Sequence, residues 1–215
     1  MKIVITAGPT REPIDAVRFL SNRSSGKMGY ALAQAAREAG HEVTLVSGPV
    51  ALHPPEGVRF VPVVTSDEMA DAVEAHLAGA DLVILAAAVA DFKPATASPR
   101  KLKKHEGIPN LSLVPTRDIL ATLGAIAGRR FGLVGFAAET DNLAANATRK
   151  LREKRCDLII ANDVSVPGIG FEGEENAVTL FFADGASLPL ERAEKIALAR
   201  RIIARLETLP RGRSR

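Results

Sequence analysis

Short apolar runs alternate with longer amphipathic segments along most of this chain. The runs are nearly continuous in valine, isoleucine, leucine and alanine, which is typical of strands buried on both faces of a parallel sheet. The amphipathic segments have the spacing of helices with one buried face. This pattern predicts a doubly wound, mostly parallel α/β sheet. The predicted strands cover residues 2–7, 43–47, 58–63, 81–86, 131–136 and 157–161, and the predicted helices cover 27–39, 67–77, 118–127 and 143–154.

The pattern changes after the sixth strand. Two segments of alternating apolar residues flank Asp184-Gly185, a dipeptide that favours a tight hairpin turn. We therefore expect a Rossmann-like sheet with a C-terminal antiparallel hairpin. Its apolar residues Val178, Leu180 and Phe182 either cover the domain's own core or contact a second subunit, and the sequence leaves both alternatives open. The predicted hairpin strands are 177–183 and 186–190, and a last helix follows at 191–206.

Two long segments without a helix or strand pattern follow the first and fourth strands, at residues 8–25 and 91–110. Ligands of open α/β sheets bind outside the carboxyl ends of the strands, where both segments begin. Loops of this length are either functional or disordered. We therefore expect the ligand site between them.

Composition limits the function classes. A chain of 215 residues fits one α/β domain, which we assign to residues 1–207, followed by a basic tail at 208–215. No apolar run is long enough to span a membrane and no signal-peptide pattern opens the sequence, so we expect a cytoplasmic protein without a membrane partner. The lone Cys156 excludes an internal disulfide and is expected to be a small core residue.

The net charge of +3 does not indicate a nucleic-acid partner. Arg211, Arg213 and Arg215 supply three positive charges at the end of the chain, and the remainder is near neutral. The sequence has one tyrosine, no tryptophan and no basic stretch interleaved with aromatic residues. We therefore expect small-molecule ligands.

The stretch that leads into the first predicted helix has the properties of an anion site. Ser24 and Ser25 offer hydroxyl donors, Gly26 and Gly29 allow close backbone approach, and the first helical turn has amide groups without intrahelical partners. The helix dipole adds to this preference. We predict a phosphate cradle.

Three other features have both a functional and a structural interpretation. Small residues at the end of the fourth strand leave room for a flat ligand, with Asp91 as a hydroxyl acceptor. Alternatively, the alanines allow tight packing between helix and strand, and Asp91 is a turn residue. The lysine run at 101–104 closes over a polyphosphate, or is a solvated face. Lys150 and Lys154, four residues apart, share an anion, or are an exposed pair on a helix. The alanines are Ala86, Ala87 and Ala88.

Two common nucleotide motifs are absent from the sequence. Gly8 and Gly26 are too far apart for a dinucleotide fingerprint, and the second strand ends in Ser47-Gly48 without the acid that holds an adenosine ribose. A Walker lysine arrangement is also missing. An NAD(P)-dependent oxidoreductase is therefore the weaker enzyme hypothesis, and a non-catalytic nucleotide-binding subunit is a third one.

Six motifs, in order along nearly the whole chain, resemble those of phosphopantothenoylcysteine synthetase of the bacterial type. They are GPTREP at 8–13, SNRSSGKMG at 21–29, AAVAD at 87–91, KLKK at 101–104, VGFAAET at 134–140 and AND at 161–163. The resemblance implies a ligase of coenzyme A biosynthesis that joins 4'-phosphopantothenate to L-cysteine. It also implies CTP as co-substrate and Mg²⁺, with an acyl-cytidylate intermediate and release of pyrophosphate and CMP.

The resemblance assigns roles to matching residues. Asn22 would hold the carbonyl of the acyl-cytidylate, and Lys101 would be the catalytic and nucleotide-contacting lysine of a flap. Arg18 and Lys27 would be substrate-binding cations. The remaining nucleotide contacts would be Ser24, Ser25, Gly26, Gly29, Ala86, Ala87, Ala88, Asp91, Asp118, Phe136, Lys150 and Lys154. No metal ligand is assigned.

The chain departs from this family at Thr116-Arg117-Asp118, where the family has Asn-Pro-Asp. Only Asp118 and backbone groups are expected to keep the nucleotide contact of that turn. The resemblance also implies a homodimer and a flavin-dependent decarboxylase, fused or separate. The sequence leaves open whether this chain is a stand-alone synthetase or an excised domain.

Overall fold

A computed structural model describes residues 1–106, 110–163, 165 and 173–209. Twelve strands and five α-helices lie in these residues. They are β1 (Lys2–Ala7), β2 (Arg11–Pro13), β3 (Phe19–Ser21), α1 (Lys27–Glu38), β4 (Glu42–Ser47), β5 (Arg59–Pro62), α2 (Ser66–Ala75), β6 (Leu82–Leu85), β7 (Phe92–Pro94), β8 (Leu113–Pro115), α3 (Ile119–Gly124), β9 (Gly132–Glu139), α4 (Leu143–Glu153), β10 (Leu158–Asp163), β11 (Glu175–Phe182), β12 (Ser187–Glu194) and α5 (Lys195–Leu206). Of the predicted basic tail, only residues 208 and 209 are described.

The main sheet has eight strands in the order β12-β11-β10-β9-β6-β1-β4-β5. The six strands from β10 to β5 are parallel, and β11 and β12 add to β10 as an antiparallel hairpin. The predicted mostly parallel sheet with a C-terminal antiparallel hairpin is confirmed. Because the parallel strands run the same way, their carboxyl ends meet at one edge of the sheet.

Each face of the sheet is covered by its own helices. Buried residues of α1 and α5 pack on one face, and those of α2, α3 and α4 pack on the other. Val178 and Leu180 of the hairpin are buried with the α1 and α5 residues, and Phe182 packs partly buried against them. These side chains therefore cover the domain's own core, which decides between the two alternatives left by the sequence.

Cys156 is fully buried, as expected. Burial raises the pKa of its thiol to about 12. Since the thiolate is the reactive form, this side chain is a core residue without the properties of a nucleophile. In the part of the chain that the structure describes, no helix has the length and apolarity to cross a membrane.

The predicted bounds of three helices are wrong by two or more residues. Helix α3 ends at Gly124 instead of residue 127. Helix α2 is predicted at 67–77 but covers Ser66–Ala75, with Thr65 as its N-cap in a reciprocal capping box with Glu68. Helix α5 begins at Lys195 instead of residue 191 because β12 continues to Glu194. The longer strand follows from its antiparallel pairing with β11, which reaches Glu175.

Both segments predicted as loops contain short strands. β2 pairs with β3 within the segment after β1, and β7 pairs with β8 after β6. Each of these strands has three residues, which is too short for an alternating pattern to be recognised. The hairpins give the site loops a backbone framework that the sequence pattern does not reveal.

A buried ion pair joins the beginnings of β9 and β10. The Arg129 guanidinium donates to Asp157 Oδ2 at 2.6 Å and to the Arg155 carbonyl at 2.9 Å. Asp157 Oδ2 also accepts from the Leu133 amide at 2.8 Å. The exposed fractions of the Arg129 and Asp157 side chains are 4% and 12%. The pair therefore fixes the chain where these two strands start.

We predict that Arg129→Ala lowers the free energy of unfolding by about 3 kcal/mol, because it removes the cation that balances a largely buried carboxylate. Urea denaturation followed by circular dichroism measures the change. Arg200→Ala is the control, since Arg200 forms a solvent-exposed pair with Glu38 at 2.7 Å and should contribute far less. Equal losses in both variants would contradict the assigned role of the buried pair.

Candidate active site

A cavity of about 760 Å³ lies at the carboxyl edge of the parallel strands. Its walls come from the start of α1, the segment after β6, the turn before α3, and the ends of β9 and β10. Further lining residues come from α4, the start of β11 and the first residue of α5. The cavity therefore extends over the sheet edge, from the face covered by α3 and α4 to the face covered by α1 and α5.

The start of α1 forms one wall of this cavity. Gly26 is the N-cap with a left-handed φ of 77°, and no side chain caps the helix. The Gly26 amide donates to Ser24 Oγ at 3.3 Å, which folds the loop over the helix start. Ser24, Gly26 and Gly29, three residues of the predicted phosphate cradle, line the cavity together with Lys27. An uncapped helix start with a cation beside it is suited to bind an anion.

The strand-end segment after β6 forms the opposite wall, and buried groups fix its backbone. The Ala88 amide donates to the Gly8 carbonyl at 2.9 Å, and the Ala90 amide donates to Thr10 Oγ1 at 3.0 Å. Thr10 is fully buried. Ala86, Ala87, Ala88 and Asp91 all line the cavity. The GPTREP motif therefore positions this wall.

Asn22 lies in the cavity and is bonded to the same wall. Its Nδ2 donates to the carbonyls of Ala88 at 3.0 Å and Val89 at 3.1 Å. Since both partners are acceptors, the orientation of the amide follows from the hydrogen bonds. The amide donors that would hold a reacting carbonyl are thus engaged by the wall in this structure.

Lys150 and Lys154 reach the cavity from the end of α4 and have different hydrogen-bond partners. Lys154 Nζ donates to Asp118 Oδ2 at 2.6 Å, and this hydrogen bond raises the pKa of Lys154. Lys150 Nζ donates to the neutral carbonyl of Phe136 at 2.7 Å, and burial lowers the pKa of Lys150. The predicted repulsion between the lysines is therefore relieved on one side by Asp118, which also caps α3 through the Ala121 amide at 2.8 Å.

The departure at Arg117 has a structural explanation. The Arg117 guanidinium pairs with Asp71, and with Glu74 at 3.0 Å, both on α2. Thr116 Oγ1 donates to the Ala90 carbonyl at 2.6 Å. The turn that carries Asp118 into the cavity is therefore held by ion pairs and by the strand-end wall, without the proline of the family pattern.

Three predicted site residues lie outside the cavity lining, namely Arg18, Ser25 and Lys101. Arg18 forms two hydrogen bonds to Asp15 Oδ2, at 3.0 and 2.5 Å, and holds the pKa of that carboxyl well below its usual range. It also donates to the Leu102 carbonyl at 3.0 Å, and the Leu102 amide donates to Asp15 Oδ2 at 3.1 Å. The base of the lysine segment is thus attached to the turn between β2 and β3. Lys101 itself is exposed, and its role over the cavity stays a prediction.

Several lining residues are missing from the predicted site, among them two asparagines, a lysine and an arginine. Asn162 follows an apolar strand run and belongs to a motif quoted above, so a polar residue at a strand end was the available signal. Asn176 and Lys195 carry no comparable signal, because they lie at the bounds of β11 and α5 that the pattern misplaced. Arg23 belongs to the SNRSSGKMG motif, but the resemblance assigns no role to it. The cavity is lined by Arg23, Asn162, Asn176 and Lys195 in addition to the predicted residues.

Among the described residues, no group of three or more histidine, cysteine, aspartate or glutamate side chains could hold a metal ion. Asp91 is an exposed carboxylate in the cavity lining, whereas Asp118 is already paired with Lys154. This donor set fits a metal held mainly by ligand phosphates and water.

Comparison with known proteins identifies close relatives. The coenzyme A biosynthesis bifunctional protein CoaBC of Vibrio vulnificus is 49% identical over 210 residues, which cover 96% of this chain and 52% of the relative. The chain therefore spans about half the length of the curated relatives it matches. The crystal structure of the C-terminal domain of a CoaBC protein has a TM-score of 0.82 at 44% identity, covering 96% of this chain and 93% of that one.

A Cab2 variant in complex with phosphopantothenate-cysteine shares the fold, with a TM-score of 0.77 at 19% identity, covering 96% of this chain and 86% of that one. The family model described as "DNA/pantothenate metabolism flavoprotein C-terminal domain" matches residues 1–209. The chain belongs to this family.

Proposed function

We propose that this protein is the phosphopantothenate-cysteine ligase of coenzyme A biosynthesis, with CTP as the activating nucleotide. One observation carries the proposal: residues of motifs far apart in the sequence line a single cavity at the sheet edge. Its lining combines an uncapped helix start, a strand end of small residues and several lysines. Membership of the pantothenate-metabolism family, together with 49% identity to a CoaBC protein, supports the substrate class.

The chemistry needs charge neutralisation more than a protein nucleophile. A carboxylate oxygen of 4'-phosphopantothenate attacks the α-phosphorus of CTP, and pyrophosphate leaves. The cysteine amine then attacks the acyl carbonyl, loses a proton and displaces CMP. In this proposal the α1 start and Lys27 bind phosphates, while Lys150 and Lys154 contact the nucleotide. The buried Cys156 is not needed for either step.

Several parts of the proposal extend beyond the cavity. Mg²⁺ would be held by the nucleotide phosphates with Asp91 as a protein carboxylate, and would neutralise charge on the leaving pyrophosphate. Lys101 would approach with its segment after the ligands bind. The flavin-dependent decarboxylase would belong to the part of the relatives that this chain does not span, or to a separate protein. A homodimer and a cytoplasmic location complete the proposal.

The assay that tests this function incubates the protein with 4'-phosphopantothenate, cysteine, Mg²⁺ and each of the four nucleoside triphosphates. We expect pyrophosphate release and 4'-phosphopantothenoylcysteine with CTP, because the cavity supplies cations and helix amides for phosphates. Mass spectrometry of the product and a coupled pyrophosphate assay measure turnover. Tight nucleotide binding without turnover would replace the ligase with a binding subunit, and hydride transfer from a nicotinamide cofactor would replace it with an oxidoreductase.

We predict that Asn22→Asp slows the transfer to cysteine more than the formation of the acyl-cytidylate, since a carboxylate cannot donate to the acyl carbonyl. The acyl-cytidylate should accumulate and be trapped by acid quench. Ser21→Ala is the control at the preceding residue, because Ser21 ends β3 and its Oγ donates to the Thr10 carbonyl at 2.8 Å outside the cavity lining. A raised KM for CTP at unchanged transfer rate would restrict Asn22 to positioning the strand-end wall.

We predict that CTP binding weakens as pH rises through a midpoint below the pKa of an ordinary lysine. Burial lowers the pKa of Lys150, and only the protonated form attracts the nucleotide, so affinity is lost as pH rises through that lowered pKa. Isothermal titration calorimetry across this range measures the midpoint. In Lys150→Arg the guanidinium stays charged and the pH dependence should move out of range. An unchanged profile in this variant would contradict the assignment.

A further inference from the structure

A cluster of amide and lysine side chains lies at the end of the cavity that faces α1 and α5. It consists of Lys27, Asn162, Asn176 and Lys195, all in the cavity lining. Lys150, Lys154 and Asp118 lie on the other side of the sheet edge, with α3 and α4. We call this group of four side chains the amide-lysine corner. No role in the resemblance falls on Asn162, Asn176 or Lys195.

The sheet topology explains why two helix starts meet here. β11 is antiparallel to β10, and β12 is antiparallel to β11, so β12 runs in the same direction as β10. Helix α5 follows β12 and therefore begins at the same sheet edge as α1. Lys27 and Lys195 are the first residues of these helices. Glu174 joins them, because its carbonyl accepts from the Lys195 amide at 3.0 Å and its side chain pairs with Lys27.

The two asparagines lie on the sheet face beneath these helix starts. Asn162 follows Ile160 by two positions, and Asn176 precedes Val178 by two positions. Ile160 and Val178 are both buried in the core formed with α1 and α5. Since side chains alternate between faces along a strand, both asparagines belong to that face.

Both asparagine side chains are nearly buried, and their nitrogens have no hydrogen-bond partner within the described part of the chain. The exposed fractions of Asn162 and Asn176 are 8% and 4%. Asn176 Oδ1 accepts from the Ala177 amide at 3.0 Å, but neither Nδ2 has a hydrogen bond to a residue that the structure describes. Both asparagines line the cavity, so these amide donors open onto it and are available to a ligand.

The charges of the corner favour an anion. Burial lowers the pKa of Lys195, and the neighbouring charge of Lys27 lowers it further. Lys195 Nζ donates to the Gly173 carbonyl at 2.5 Å. Neither α1 nor α5 has a side-chain cap, so both dipoles direct positive potential into the corner. Glu174, the carboxylate that pairs with Lys27, has a side chain that is 81% exposed and faces solvent.

Ammonium groups, amide nitrogens and helix starts are all hydrogen-bond donors, and a phosphate monoester is an acceptor with several oxygens and two negative charges. We propose that the amide-lysine corner binds a phosphate group of a phosphorylated ligand. The inference deepens the proposed function and rests on it for the identity of the ligand. The phosphate belongs either to 4'-phosphopantothenate or to the terminal phosphates of the nucleotide.

Matched ligand pairs distinguish these two sources. Isothermal titration calorimetry compares 4'-phosphopantothenate with pantothenate, and CTP with CMP, on the full chain. The variants are Lys195→Met, which removes the charge and keeps the stem, and Asn176→Asp, which keeps an acceptor for the Ala177 amide and replaces the donor with a negative charge. Lys2→Met is the control, since Lys2 begins β1 at the opposite sheet edge. Thermal unfolding checks that each variant is folded.

We expect both variants to bind one phosphorylated ligand about 10-fold to 100-fold more weakly, the size of losing a charge-assisted hydrogen bond. The partner that lacks the phosphate should be unaffected, as should the control. Loss for 4'-phosphopantothenate assigns the substrate phosphate, and loss for CTP assigns the nucleotide phosphates. Unchanged affinity for both phosphorylated ligands in folded variants would overturn the proposal.

Inorganic pyrophosphate is the probe that separates this inference from the proposed function. If the wild-type chain shows no ligase turnover, the corner is still tested by pyrophosphate binding. We expect binding that weakens in Lys195→Met and Asn176→Asp and is kept in Lys2→Met. Equal pyrophosphate affinity in all four proteins would overturn the phosphate site whatever the outcome of the ligase assay.

Discussion

Close packing of α1 on β1 is the constraint on which the site depends. A Cβ atom at Gly29 would lie 2.5 Å from the Ala7 Cβ, a distance that real Cβ atoms essentially never show. Gly26 is required for two reasons. Its backbone is left-handed, a conformation that favours glycine, and a Cβ there would lie 2.9 Å from Val50 Cγ1. Only glycine at both positions lets the helix start lie against the end of β1, beside the strand-end alanines.

The wall opposite this helix start is organised before any ligand binds. Thr10 is buried and holds the Ala90 amide, while Asn22 holds two carbonyls of the same segment. Groups fixed in advance lose less entropy when a ligand is bound, so such a wall favours precise placement of a reacting phosphate. The hydrogen bonds from Asn22 Nδ2 to the wall also limit its proposed role. To donate to a substrate carbonyl, Nδ2 must either leave the two wall carbonyls or share its hydrogen atoms with them.

How much of the fold and the site can be predicted from the sequence depends on how many consecutive residues carry each pattern. The parallel strands are predicted because their apolar runs are long and nearly continuous, as in residues Leu82–Leu85. The three-residue strands of the two hairpins give no such signal. Lys195 was not recognised because the end of β12 is set by pairing with β11, a tertiary effect. The phosphate cradle can be predicted because its properties are local: glycine and serine at a helix start are enough to indicate an anion site.

Some cations of the cavity have a carboxylate partner and others have a neutral one. This difference decides at which lysine a bound phosphate adds most electrostatic attraction. Lys154 pairs with Asp118, and Lys27 pairs with Glu174, so an incoming anion competes with a carboxylate at both positions. Lys150 instead donates to the neutral Phe136 carbonyl and has a lowered pKa. Replacing a neutral acceptor by an anion adds attraction without displacing a carboxylate. A buried lysine with a neutral carbonyl partner is therefore the position where the negative charge of the ligand adds most attraction. Burial also lowers the pKa of Lys195 at the other end of the cavity, where its Nζ donates to the Gly173 carbonyl.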